Sequence, residues 1–281
     1  MYKMIAIDLD GTLLTDELKV TTDTMAAIRQ SMELGVVVTI ATGRMYPSAQ
    51  RIALELGLDA PMITYQGAMI KSATSGEVLR ERIVSFDIAQ TCIRIAAENQ
   101  MHIQVYQDDV LYSAVDNEQV RAYSKEVGVG YKIEPDLLKL AENGFMKLLF
   151  IDEPEALAPV QAELKAVLGD EACIEKSKLR YLEVTHPEAN KGSALNFLAE
   201  QLGIDSSEVI GIGDNHNDAD LVKAAGFGIA MGNAVIELKE LADYTSLSNN
   251  EEGVLHVLNK FILEPRAAAV DSGQRGTDSG R

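Results

Sequence analysis

The segment IAIDLDGTLL, residues 5–14, sets two carboxylates, Asp8 and Asp10, at the end of a run that otherwise reads as a buried strand. A second apolar run closes on GIGDNHND, residues 211–218, with two more acids, Asp214 and Asp218, and two asparagines. So many like charges on one rim call for a cation to neutralise them, and hard carboxylate oxygens suit a divalent one. Two further motifs suit an anion. In ATGR, residues 41–44, Thr42 offers a hydroxyl donor and Gly43 a backbone that a ligand can approach closely. In NKGSAL, Lys191 stands in the first turn of a helix, where a cation opposes the macrodipole, so an anion nearby is the better reason for its charge. Each motif alone also admits a plainer reading: a turn cap for the aspartates, a simple turn for ATGR, a solvated lysine for Lys191.

These residues need strands and helices to carry them. Short β-branched runs alternate with helical patterns: MIAID, a helix through Met25, Ile28 and Met32 to Gly35, VVVTIA, a helix near Ser48 to Gly57, and PMITY. Continuous rather than alternating apolar strands imply burial on both faces, hence a parallel sheet flanked by helices. The same grammar returns late, with a helix from about Lys191 to Leu202, the strand EVIGIG, a helix near Ala219 to Ala225 and the strand FGIAM. The two stretches read as one doubly wound, mostly parallel α/β sheet of Rossmann-like type, and ligands of such sheets bind beyond the carboxyl ends of the strands, where the aspartates lie. Between them, helices around Asp87 to Asn99 and Glu118 to Val127 accompany HIQVY, MKLLFI and YLEVT, which fits an inserted α+β unit. The expected division is a core of residues 1–83 and 187–264, an insertion of 84–186, and a disordered tail of 265–281 with little to bury. SGEVLRERIV and HPEA are the expected hinges. GIGD is not a dinucleotide fingerprint, since the third glycine of GxGxxG is missing and an acid follows at once.

DLDGTLL, ATGR, NKG and GDNHND, in this order, resemble the four motifs of the haloacid dehalogenase-like phosphotransferases. The long insertion resembles the large α/β cap of the Cof-type subfamily, and the likeness covers residues 1 to about 263. The resemblance implies that Asp8 is a nucleophile forming an aspartyl-phosphate and that Asp10 protonates the leaving group, then takes a proton from water. It implies a Mg2+ ion held by the Asp8 carboxylate, the Asp10 carbonyl and Asp214, with Asp218 behind them. It also implies phosphoryl oxygens held by the Leu9 and Gly43 N–H groups, Thr42, Lys191 and Asn217. One departure stands out: where the subfamily usually carries NGA after the third strand, this chain reads YQGA, with Gln66 adding a methylene to the amide's reach. The implied function is a magnesium-dependent phosphatase for small phosphorylated metabolites, sugar phosphates first among them. The alternatives are a sugar phosphomutase and a non-catalytic metabolite-binding protein on the same scaffold; the completeness of the site speaks against the last.

Composition narrows the partners. The 281 residues are 47% hydrophobic and 24% charged, with a formal net charge of -18. A nucleic acid would meet a repulsive field, and no run of 18 apolar residues offers a membrane span. Without a basic, cleavable leader, MYKMIAID reads as the start of a cytoplasmic protein. Cys92 and Cys173 have no CxxC partner, and Cys92 falls on an apolar helical stripe, so packing is its expected role. His102, His186, His216 and His256 show no HxxxH or HExxH relation, and no metal role is expected of them.

Overall fold

The computed structural model describes residues 1–267 and divides into two compact units. The first holds residues 1–40, 55–60 and the chain from Leu195 on. Its sheet has five strands in the order Tyr244–Thr245, Phe227–Ala230, Val209–Gly213, Met4–Ile7 and Val37–Ile40, every neighbouring pair parallel. Met4, Ile5, Ala6 and Ile7 are each at most 1% exposed. That is the burial on both faces that the unbroken apolar run predicts. The helix Thr22–Glu33 starts where the Thr21 hydroxyl accepts from the Thr24 N–H, and it ends at Gly35, whose φ of +80° an L side chain would resist. It packs on the helix Gly253–Leu258, while Ala219–Ala224 covers the strands Val209–Gly213 and Phe227–Ala230.

The second unit holds residues 41–54 and 61–194. A six-stranded sheet runs in the order Cys173–Lys178, Tyr181–Thr185, Lys147–Ile151, His102–Gln107, Val110–Ser113 and Tyr131–Ile133, antiparallel except for its last pair. The helices Phe86–Glu98 and Pro154–Leu168 cover one face, burying Ile103, Val105, Leu148, Phe150, Leu182 and Val184 in a single apolar core. Because strands alternate, the opposite face carries Gln104, Tyr106, Lys147, Glu183 and Thr185, and these too are buried. A three-stranded antiparallel sheet, Met62–Thr64, Met69–Lys71 and Val78–Glu81, completes the unit.

The fold class is therefore as expected, a mixed α/β protein with a parallel sheet core and additional antiparallel sheets. Two elements differ from the sequence reading. Part of the SGEVLRERIV hinge is the strand Val78–Glu81, exposed or half-exposed throughout, so no apolar alternation announces it. The 15-residue helix Pro154–Leu168 carries Pro159 in its interior, which breaks the usual helical signature. Of the expected tail, residues 265–267 continue the final helix, where the Arg266 guanidinium donates to the Tyr2 carbonyl at 2.7 Å. Residues 268–281 lie outside the described residues.

Candidate active site

In the first unit, the strands Met4–Ile7 and Val209–Gly213 run parallel with Ile7 opposite Ile212. Their carboxyl ends therefore deliver Asp8, level with Gly213, and Asp214, one residue further on, to the same rim. Asp8 is 5% exposed, and its N–H donates to the Ile212 carbonyl at 3.0 Å. Asp8, Asp214 and Asp218 each bring a carboxylate oxygen to within 4.8 Å of the others. Asp218 is fully buried, and its Oδ2 accepts from the N–H groups of Asp214 (3.0 Å) and Asn215 (3.1 Å), so that it shapes the turn presenting Asp214. Asn217 sits half-buried in the same short 3-10 turn, His216–Asp218. Leu9 is buried and its carbonyl accepts from the Leu14 N–H, while Asp10 is half-buried.

Residues that the sequence reading passed over hold this arrangement. The Thr12 hydroxyl donates to Asp214 Oδ1 at 2.9 Å, and the Asn233 side-chain amide donates to the Gly11 carbonyl at 2.8 Å. Gly11 itself has φ +79°, and a Cβ there would stand 2.4 Å from Asp214 Oδ2. The glycine of DLDGT is needed for both reasons. An all-oxygen set of three converging carboxylates suits a small hard cation such as Mg2+ and offers nothing to a soft one.

In the second unit, a tight chain of main-chain contacts gathers Thr42, Gly43 and Lys191. The Thr42 N–H donates to the Ile63 carbonyl, and the Thr42 carbonyl accepts from the Gln66 N–H at 3.1 Å. Thr42 Oγ1 accepts from the Arg44 N–H at 3.1 Å, a bond that uses a lone pair and not the hydroxyl proton. Tyr65, Gln66 and Gly67 take φ values of +51°, +59° and +96° in succession. Strain of this kind persists where the surroundings impose it. The surroundings approach closely on both sides: a Cβ on Gly43 would meet the Gln66 side chain, with Nε2 at 2.3 Å, and a Cβ on Gly67 would meet the Asn190 carbonyl at 2.3 Å. The Gln66–Gly67 turn thus lies between the ATGR loop and the start of the helix Lys191–Gln201, whose first turn the Asn190 side chain caps by accepting from the Ser193 N–H at 2.7 Å. Lys191 is only 1% exposed, which removes the solvated-lysine reading. Arg44 reaches Ser48 Oγ at 3.4 Å.

The same unit buries a second lysine, Lys147, which begins the strand Lys147–Ile151. Lys147 Nζ donates to the Gly43 carbonyl and to Glu183 Oε1, both at 3.1 Å. A lysine inside MKLLFI was the available signal, since an unpaired charge is almost never fully buried. Three histidines make side-chain hydrogen bonds: His102 joins Gln104 and Asn117, His256 meets the Tyr244 hydroxyl, and His186 Nδ1 accepts from the Glu188 N–H. Cys92 is fully buried, and desolvation pushes its thiol up to about 12, as its packing role requires. Among the described residues, no helix is long and apolar enough to cross a membrane.

Known proteins share this framework. A model of the haloacid dehalogenase-like hydrolase family matches residues 5–258. A protein of Serratia proteamaculans (strain 568) named HMP-PP phosphatase is 32% identical over 269 residues, covering 94% of this chain and 97% of its own. The X-ray crystal structure of a Thermotoga maritima protein is 34% identical, with a TM-score of 0.83 over 93% of this chain and 98% of that one. A haloacid dehalogenase-like hydrolase from Bacteroides thetaiotaomicron gives a TM-score of 0.86 at 27% identity, covering 92% of this chain and 99% of that one. With the four motifs standing at strand and helix ends as described and the family likeness running through nearly all of the described chain, this protein belongs to the haloacid dehalogenase-like hydrolases.

Proposed function

We propose that the protein is a magnesium-dependent phosphatase that hydrolyses small phosphorylated metabolites, sugar phosphates above all, through an aspartyl-phosphate on Asp8. The observation that carries the reading is the convergence of Asp8, Asp214 and Asp218 at the carboxyl ends of two adjacent parallel strands. Three carboxylates this close repel one another, and a bound cation relieves that repulsion. The name of the Serratia relative supports phosphatase chemistry.

In this reading Asp8, Asp214 and the Asp10 carbonyl hold Mg2+, and Asp218 fixes the turn behind them. When bound, the ion neutralises charge on the attacking carboxylate and on the phosphoryl oxygens. Asp8 attacks phosphorus, and the leaving alkoxide takes the Asp10 proton. Asp10 then accepts a proton from the water that attacks the acyl phosphate, returning Asp8. Thr42, Lys191, Asn217 and the N–H groups of Leu9 and Gly43 hold the phosphoryl oxygens, and this positioning supplies most of the rate. Residues 1–83 and 187–264 serve as the catalytic core, and residues 84–186 act as a cap that selects the leaving group.

The test is a panel of phosphorylated metabolites assayed for phosphate release, with and without Mg2+, beside Asp8→Asn. Turnover should require the metal and fall by at least about 10³-fold in the variant, with the thermal midpoint kept. A variant that retains most activity overturns the assignment of Asp8. Isomerised sugar phosphate without free phosphate points to a mutase instead.

A further inference from the structure

We propose that Lys147, anchored by Glu183, is a positioning residue for the phosphoryl-binding loop Thr42–Gly43; this rests on the function proposed above. A lysine 1% exposed at the first position of a buried strand is an expensive choice. The strand could bury an apolar side chain there at lower cost, so the charge needs a reason. Its three protons have three directions. One goes to the Gly43 carbonyl, one goes to Glu183 Oε1, and the remaining side of the ammonium faces the Tyr106 ring, 4.8 Å from the centroid. Glu183 is fixed in turn by Ser177, whose hydroxyl donates to the same Oε1 at 2.7 Å.

The consequence runs along one peptide unit. The carbonyl of Gly43 accepts from Lys147, and the N–H of the same peptide, on Arg44, donates to Thr42 Oγ1. Both ends of the unit are held, so its plane cannot rotate. A cation on the carbonyl also polarises the peptide, which strengthens the Arg44 N–H as a donor and, through it, the Thr42 hydroxyl as a donor to a phosphoryl oxygen. Lys147 thereby sets both the position and the donor strength of Thr42 without touching substrate.

The test separates this role from simple packing. Lys147→Met alone would strand a buried carboxylate, so the principal variant is the double Lys147→Met/Glu183→Gln, with Lys147→Arg as the conservative partner. Orthophosphate binding is measured by calorimetry in the presence of Mg2+, p-nitrophenyl phosphate gives kcat and KM, and the Mg2+ activation midpoint is taken from the same assay. In the double variant kcat/KM should fall by about 10²-fold, and orthophosphate should weaken by a comparable factor. The Mg2+ midpoint should stay put, because the acidic triad is built from other segments, and Lys147→Arg should recover part of both losses. Orthophosphate affinity equal to wild type, an equal shift of the Mg2+ midpoint, or a Lys147→Arg variant no better than the double variant overturns the proposal. Should the double variant fail to fold, Glu183→Gln decides: it should weaken orthophosphate, and unchanged affinity overturns the proposal. Failure of the wild type to turn over any phosphate ester strikes the proposed function instead, while orthophosphate binding still reads the loop.

Discussion

Replacing Gly11 with alanine separates backbone strain from damage to the acidic triad. At φ +79° an alanine pays the left-handed penalty of about 1–2 kcal/mol, partly offset by the lower entropy of the unfolded chain. Gly35→Ala is the matched control, with φ +80° and nothing within 4 Å of the new methyl. Gly35→Ala should therefore melt about 2–4 °C below wild type, and Gly11→Ala at least as far below it, since its clash adds to the same strain. Only Gly11→Ala places its methyl 2.4 Å from Asp214 Oδ2 and 2.9 Å from Asp214 Cγ. Ordinary contact begins at 3.4 Å, so the carboxylate must retreat by about 1 Å. That retreat opposes the Thr12 hydroxyl on Oδ1 and the Val235 N–H on the Asp214 carbonyl, 2.9 and 3.0 Å away. Mg2+ holds its ligands at about 2.0–2.1 Å and tolerates little displacement. Its affinity, by calorimetry on metal-free protein, should fall about 10- to 100-fold in Gly11→Ala and stay unchanged in Gly35→Ala. Equal Mg2+ affinity in the two variants would mean that Asp214 does not hold the ion at this end of the sheet.

Gly67→Ala meets the Asn190 carbonyl at 2.3 Å, backbone that cannot swing aside, so urea unfolding should show a loss of about 3 kcal/mol against about 1 for Gly57→Ala, whose methyl meets nothing. With its thiol pushed up to about 12, Cys92 should resist Ellman's reagent at pH 8; at most one thiol should react in the native protein and two in urea. Burial lowers the pKa of His102 below its ordinary 6.5, so below that pH the unfolded chain binds the proton that the folded one refuses. Stability from this residue is present above pH 6.5 and lost as the pH falls through the window down to its folded pKa, and His102→Gln should flatten that part of a urea-monitored pH profile.

Much of the site was legible because its signals are local. Asp8 and Asp10 follow a run of consecutive apolar residues, Asp214 follows another, and a strand's end is marked by the residues that end it. The helix at Lys191 and the strand at Lys147 were equally visible as elements. Their partners were not. Asp8 lies beside Asp214 because two strands far apart in sequence pair in parallel with Ile7 opposite Ile212, and a periodic pattern carries no strand order. The left-handed turn at Tyr65, Gln66 and Gly67 puts Gly67 against the Asn190 carbonyl and the Gln66 side chain against Gly43, and the propensities of YQGA announce neither contact.

The alternation of buried strands with helices, and the carboxylates, threonine and lysine at their ends, could be read from the residues alone, since burial pattern and turn chemistry act over a few residues. Which of these meet depended on the packed chain. The convergence of Asp8, Asp214 and Asp218, the passage of Gln66 and Gly67 between two loops, and the reach of Lys147 to the Gly43 carbonyl all depend on contacts between distant segments. Packing selects those contacts cooperatively, and no single segment encodes them.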